Sequence, residues 1–205
     1  MFNGRVENQE RNEHVNIQAL TSTVGEDGVW SQVLNRVCGP GRRAALFLDR
    51  DGVLVDEVHY LCRPEDARLS IAAVDVIGRA NGLSVPVVIV TNQAGIARGY
   101  YDAADLDRLH RWMNADLRKI GAHIDRFYHC PHHPDISGEC DCRKPNPGML
   151  KQAMRDWPID LPRSFMIGDK STDMEAAKRS NVTGHLFSSG NLHATVNRIL
   201  GTPPV

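Results

Sequence analysis

The chain has 205 residues, 41% hydrophobic and 24% charged, which is the composition of one soluble globular domain with a substantial core. A formal net charge of −1 provides no basic field to gather nucleic acid or anionic lipid, and no apolar run approaches the roughly 20 residues that span a bilayer. Residues 1–16 are polar and mixed in charge, without the apolar centre of a signal peptide, so a cytoplasmic location is expected.

Residues 1–40 have little periodicity and are expected to form an N-terminal arm ahead of a main domain over 41–205. Within the arm, Val29-Trp30 and Val33-Leu34 suggest one short amphipathic turn, and Gly39-Pro40-Gly41 interrupts the chain. The apolar run 44–48 then reads as a buried strand that ends in Asp49-Arg50-Asp51-Gly52. Residues 53–69 read as a loop or small flap. A helix is expected over 71–83, with Val74 and Ile77 on one side. The nearly unbroken apolar run 85–90 reads as a buried parallel strand ending at Thr91-Asn92. Asp102 suits the N-cap of a long helix carrying Leu106, Leu109, Met113, Leu117 and Ile120 at helical spacing.

A third strand over 124–129 leads into a cysteine-rich loop, 130–143. Pro147 can open the next helix from its first turn and carry it to about Asp156. A strand over 164–167 ends in Gly168-Asp169-Lys170; a helix over 172–180, a strand over 184–187 and a helix over 192–200 follow. Strands alternating with helices predict a Rossmann-like three-layer α/β sandwich around a parallel sheet, with no insertion long enough for a large cap. No heptad or apolar edge calls for a partner, so a monomer is expected.

In a parallel sheet the strand ends share one edge, where such folds bind ligands. Asp49, Asp51, Thr91 and Asp169 can therefore converge there, and Lys144 arrives from the loop after the cysteines. A carboxylate can attack phosphorus and form an aspartyl phosphate, but an anion attacking an anion needs charge relief. Mg²⁺, which prefers oxygen ligands, would give it, held by Asp49, Asp169 and the main-chain carbonyl of Asp51. Lys144 and the Thr91 hydroxyl would hold phosphoryl oxygens, and Asp51 would serve as acid and then base. Cys130, His132, Cys140 and Cys142 make a closed Cys₃His set suited to a structural zinc, with His133 as the competing imidazole. A non-catalytic zinc-ribbon module is the rival class; the neutral charge and 6% aromatic content weigh against it.

Four segments, Leu48 to Val53, Val90 to Gln93, Arg143-Lys144-Pro145, and Ile167 to Lys170 with Asp173 beyond, resemble the motifs of haloacid dehalogenase superfamily phosphatases. The resemblance covers about residues 44–187. It implies that Asp49 is the nucleophile and Asp51 the acid/base. Asp173 would then support the Lys170 ammonium or the waters of the metal. The segments Cys130 to Met149 and Thr91 to Gly99 are similar to the histidinol-phosphatase subfamily, and within it to the heptose 1,7-bisphosphate phosphatases. That resemblance implies removal of a sugar 7-phosphate on the route to lipopolysaccharide core, with histidinol phosphate or another small sugar phosphate as alternatives. It also implies substrate contacts at Glu57, Val58, His59, Tyr60, Thr91, Asn92, Gln93, Ala94, Arg143, Lys144 and Lys170.

Overall fold

In a computed structural model of the chain, the described residues are 22–25, 28–35, 41–187 and 192–200; Cys38 and most of the expected arm lie outside them. Among the described residues seven strands form one sheet: β1 (Thr23–Val24), β2 (Trp30–Val33), β3 (Leu46–Leu48), β4 (Val87–Asn92), β5 (Arg126–Cys130), β6 (Phe165–Gly168) and β7 (Thr183–Leu186). Their order across the sheet is β1-β2-β5-β4-β3-β6-β7. From β5 to β7 neighbouring strands are parallel, whereas β1 and β2 pair antiparallel. The helices are α1 (Ile71–Gly82), α2 (Ala103–Arg118), α3 (Pro134–Ser137), α4 (Gly148–Asp156), α5 (Ser171–Arg179) and α6 (Leu192–Leu200).

Because side chains alternate along a strand, each central strand feeds two apolar layers. Leu46, Leu48, Val87, Ile89, Phe127 and Ile167 face a layer with residues of α1, α2 and α6. Phe47, Val88, Val90, Tyr128 and Met166 face a second layer with residues of α4 and α5. This is the three-layer sandwich that the alternation of elements implies. The chain runs from β3 outward to β4 and β5, then crosses back to place β6 on the other side of β3. The loops after β3 and β6 therefore sit side by side at the point where strand order reverses, which is where open α/β sheets form a crevice.

The short helical turn expected at Val29–Leu34 is instead strand β2, hydrogen-bonded to β5 along Trp30–Val33. An isolated turn of four residues gains little, whereas pairing satisfies the main-chain groups along the open edge of β5. Gln32 stitches this strand to α2: its amide donates to the Asp107 carbonyl at 3.2 Å, and its Oε1 lies 3.2 Å from His110 Nδ1. Burial, aided by Arg50 and His129, holds His110 well below the usual histidine pKa, so the imidazole is neutral.

Two helices differ in detail from their expected faces. In α1 the fully buried stripe is Ala73, Val76, Ile77 and Ala80, with Val74 only partly buried. In α2 the stripe Leu106, Leu109, Met113 and Leu117 is buried as expected, but Ile120 lies beyond the helix end and is exposed. Asp102 does cap α2, in a reciprocal box with Asp105 at 2.8 and 3.0 Å. Pro147 occupies the N-cap of α4 rather than its first turn. The segment between β3 and α1 holds a 3₁₀ turn at Pro64–Asp66 and the isolated bridges Asp51–Val55 and Val55–Leu69, too little to form a cap domain over the crevice.

Candidate active site

Asp49 follows β3 directly, with its side chain almost fully buried. Its Oδ1 accepts from the Arg50 main-chain N–H at 2.8 Å and lies 2.8 Å from Lys144 Nζ. Lys144 Nζ also lies 2.6 Å from Asp173 Oδ1 and donates to the Val90 carbonyl at 2.9 Å. The lysine is aimed by Asn92 at the end of β4. The Asn92 amide donates to the Lys144 carbonyl, and its Oδ1 accepts from the Lys144 N–H, each at 3.0 Å. This two-bond clasp occupies the Asn92 side chain and leaves its main chain for any substrate contact.

Asp169 follows β6 in the neighbouring loop. The two loops approach closely because residue 52 is glycine, with φ of +81°; a Cβ there would meet Asp169 Oδ2 at 2.4 Å. Asp173 is fully buried in the first turn of α5, where its Oδ2 accepts from the Lys170 main-chain N–H at 3.0 Å. The expectation that Asp173 supports the Lys170 ammonium is thus corrected. Its partners are the Lys170 main chain and the Lys144 ammonium, because the first helical turn directs the carboxylate inward.

Charge within this cluster is unbalanced. Burial pushes the Asp49 carboxyl up to about 6, with Lys144 opposing and Asp173 assisting. Burial alone would lower the Lys144 ammonium, but Asp49 and Asp173 outweigh it and hold it above its ordinary value. Asp169 is also raised, first by burial, with Lys170 opposing. Asp49 and Asp173 thus share one buried ammonium, and Asp169 adds a third carboxylate to the cluster. Their oxygens lie within 4.8 Å of one another, and Asp169 Oδ1 is buried without a hydrogen-bond partner. An orphaned carboxylate oxygen and excess negative charge fit a hard divalent cation with oxygen ligands. The Asp51 side chain is outside this cluster, turned to Arg50 and Gln93, so only its main-chain carbonyl remains available to such a cation.

Beside the cluster a cavity of about 320 Å³ runs outward from Asp51. Glu57, Val58, His59 and Tyr60 of the flap line it, together with Asn92, Gln93, Ala94, Arg143 and Lys170. These predicted substrate contacts are therefore brought to one place; Thr91 and Lys144 lie buried behind it. Thr91 Oγ1 accepts from Gln93 Nε2 at 2.8 Å, which leaves its own proton free to donate. Lys170 Nζ pairs with Glu57 at 3.1 Å across the mouth; both side chains are at least half exposed, so an incoming anion displaces the pair at little expense. Arg98, which sequence reasoning missed, lines the same cavity, its Nη2 2.8 Å from His133 Nε2. Its position in the turn after β4 was the available signal.

The cysteine loop closes on itself. Sγ–Sγ separations among Cys130, Cys140 and Cys142 are 3.1, 3.4 and 3.6 Å, and His132 Nδ1 lies 3.3 Å from Cys142 Sγ and 3.7 Å from Cys130 Sγ. Bond lengths near 2.3 Å in a tetrahedral zinc site imply ligand separations of about 3.7 Å, so the donor set fits zinc. The Cys142 hydrogen bond pulls Cys130 down to about 6 and pushes Cys142 itself up, so the two thiols hold one negative charge between them. His133 turns away, capping α3 and facing Arg98, so His132 is the imidazole of the set. The loop is anchored further by Asn146, whose amide donates to the Cys140 carbonyl, and by Arg143, which donates to the His132 carbonyl. Val29 packs in the same buried cluster as Cys130 and Cys142, so the β1–β2 hairpin covers the metal-type site.

The fold is an α/β sandwich whose strand ends gather three carboxylates and a buried lysine in one crevice. A family model described as HAD-hydrolase-like matches residues 141–201. A D-glycero-beta-D-manno-heptose-1,7-bisphosphate 7-phosphatase of Rhodopseudomonas palustris is 40% identical over 164 residues, covering 78% of this chain and 91% of that protein. A D-glycero-alpha-D-manno-heptose-1,7-bisphosphate 7-phosphatase of Photorhabdus laumondii is 39% identical over 168 residues, covering 76% and 92%. Among solved structures, a HAD-like phosphatase from Mesorhizobium loti aligns with a TM-score of 0.80 at 32% identity, over 89% of this chain and 99% of that one. The D,D-heptose 1,7-bisphosphate phosphatase of B. bronchiseptica, solved with magnesium and phosphate, aligns at 0.67 and 32% identity over 76% and 87%. The chain belongs to the HAD-like hydrolases, as one of their phosphatases.

Proposed function

We propose that the protein removes the 7-phosphate of D-glycero-D-manno-heptose 1,7-bisphosphate through a phosphorylated Asp49. The observation that carries this is the convergence of Asp49, Lys144, Asp169 and Asp173 beside a cavity lined by Arg98, Arg143 and Lys170. Such a cavity suits a substrate with a second phosphate, and Arg143 can grip one through two parallel hydrogen bonds. Asp49 Oδ1 is held by two donors, leaving Oδ2 for attack. As the new P–O bond forms, the ester P–O bond breaks and the sugar oxygen takes a proton from Asp51. Water then attacks the phosphorus of the aspartyl phosphate while Asp51 accepts its proton, and inorganic phosphate leaves. Lys144, the Thr91 hydroxyl and neighbouring main-chain N–H groups stabilise the phosphoryl oxygens. Asp49, Asp169 and the Asp51 carbonyl would hold Mg²⁺, which would relieve repulsion between the attacking carboxylate and the phosphoryl group.

Glu57, Val58, His59, Tyr60 and the 91–94 turn would meet the sugar. We place the enzyme in the cytoplasm as a monomer, consistent with near-neutral charge and with no described helix long and apolar enough to cross a membrane. The test is steady-state kinetics with Mg²⁺ on both anomers of the bisphosphate and on histidinol phosphate. We expect kcat/KM for one anomer to exceed that for histidinol phosphate by about 10²-fold, as expected when a subsite grips a group the rival lacks. Equal or reversed values reject the assignment.

Zinc in the Cys₃His loop would pin the segment that delivers Lys144, since Cys142 and Lys144 are two residues apart. Metal analysis should find about one zinc per chain, and Cys142→Ser should lose it together with most activity. A chain active without zinc removes that part of the reading.

A further inference from the structure

Arg50, between the two aspartates, is buried to 1% exposure and belongs to neither the carboxylate cluster nor the zinc-type loop. Its Nε donates to Asp51 Oδ1 at 3.1 Å, and its Nη2 reaches Oδ1 at 2.9 Å and Oδ2 at 3.0 Å. The same Nη2 lies 3.1 Å from the Leu61 carbonyl and 3.1 Å from Gln93 Oε1. Gln93 completes the frame: its Nε2 donates to Asp51 Oδ2 at 2.9 Å, and its Oε1 accepts from the Tyr101 hydroxyl at 2.6 Å. Tyr101 reaches Gln93 by crossing Gly95, where a Cβ would meet the ring at 2.2 Å.

We propose that Arg50 is a positioning residue for Asp51, braced by Gln93 and Tyr101, and that it links the flap to the acid/base carboxylate. The inference rests on the reading of Asp51 as acid/base. A planar guanidinium fork fixes the plane of the carboxylate it grips, which a lysine does not. Proton transfer needs the carboxyl within about 3 Å of the leaving oxygen, and small displacements are heavily penalised. Asp51 remains about one-fifth exposed toward the cavity, so the fork orients the group without closing it off. Leu61 is buried in the core immediately after Tyr60, whose φ of +55° turns the chain. One guanidinium nitrogen therefore touches both the root of the flap and the carboxylate. As a device for stability alone the arrangement is poor: it buries a charge and leaves Nη1 without an acceptor, where an apolar side chain would avoid both.

The test uses leaving-group dependence, which a general loss of structure would not produce. Departure of p-nitrophenolate needs no proton, whereas a sugar alkoxide does. For Arg50→Met, kcat/KM on the fastest sugar phosphate should fall about 30–100-fold, and on p-nitrophenyl phosphate less than about 3-fold. Tyr101→Phe, which removes only the brace, should show the same pattern at about 3–10-fold on the sugar phosphate, and Arg50→Lys should fail to restore the arginine value. Should Arg50→Met not fold, Tyr101→Phe and Arg50→Lys decide. If Asp51→Asn is leaving-group dependent but these variants lose equally on both esters, or lose nothing, the proposal alone is overturned. If Asp51→Asn itself shows no such dependence, the acid/base reading falls and the proposal with it.

Discussion

Asp49→Asn should abolish turnover, by about 10⁴-fold or more in kcat, because an amide oxygen cannot accept phosphorus as a carboxylate does. The substitution is nearly isosteric, and its Oδ1 can still accept from the Arg50 N–H and from Lys144, which Asp49 meets at 2.8 Å each. It also removes one of the two carboxylates competing for that ammonium, where burial first and then Asp173 already raise Asp49. The variant should therefore melt at or above the wild-type temperature while losing its chemistry. Acid-quenched turnover of ³²P-labelled substrate should place label on Asp49 of the wild type and none on the variant. An asparagine variant retaining a hundredth of the activity, or label elsewhere, would refute the nucleophile assignment.

Lys144→Met should damage both stability and rate. Its removal leaves Asp49 and Asp173 buried without their cation and the Val90 carbonyl without its donor. Breaking a buried pair from one side costs about 3–5 kcal/mol, which is about 10 °C in Tm for a chain of this size. The phosphoryl group also loses a fixed positive neighbour, so kcat should drop about 10²–10³-fold. Melting in EDTA isolates the first effect. Asp173→Asn in the Lys144→Met background should recover part of the lost stability, since it removes one uncompensated charge. A single variant as stable as wild type in EDTA would contradict the buried triad.

What the sequence revealed, and what it hid, follows from how local each signal is. The apolar runs before Asp49, Thr91 and Asp169 locate three central strands, and the residues after each reach the crevice because parallel strands share an end. The helix beginning after Asp102 is legible from its cap and spacing. The β1–β2 hairpin is not, because strands of two and four residues carry almost no pattern and gain their stability from β5, about a hundred residues away. Nothing local in the sequence marks Arg50, because its environment exists only once the flap returns and brings the Leu61 carbonyl over it. Asp173 is expected beside the Lys170 ammonium or the waters of the metal, and only the separate arrival of Lys144 makes it half of a buried pair. Asn92 reads as a candidate ligand contact, yet its amide proves to aim the lysine.

The antiparallel ribbon zipped onto β5 has an outcome for colloidal behaviour. Without it, that flank of the sheet would present a ladder five residues long, a usable template for aggregation between copies. With it, the outermost rung on that side among the described residues is the two-residue strand Thr23–Val24, too short by itself to nucleate intermolecular zippering.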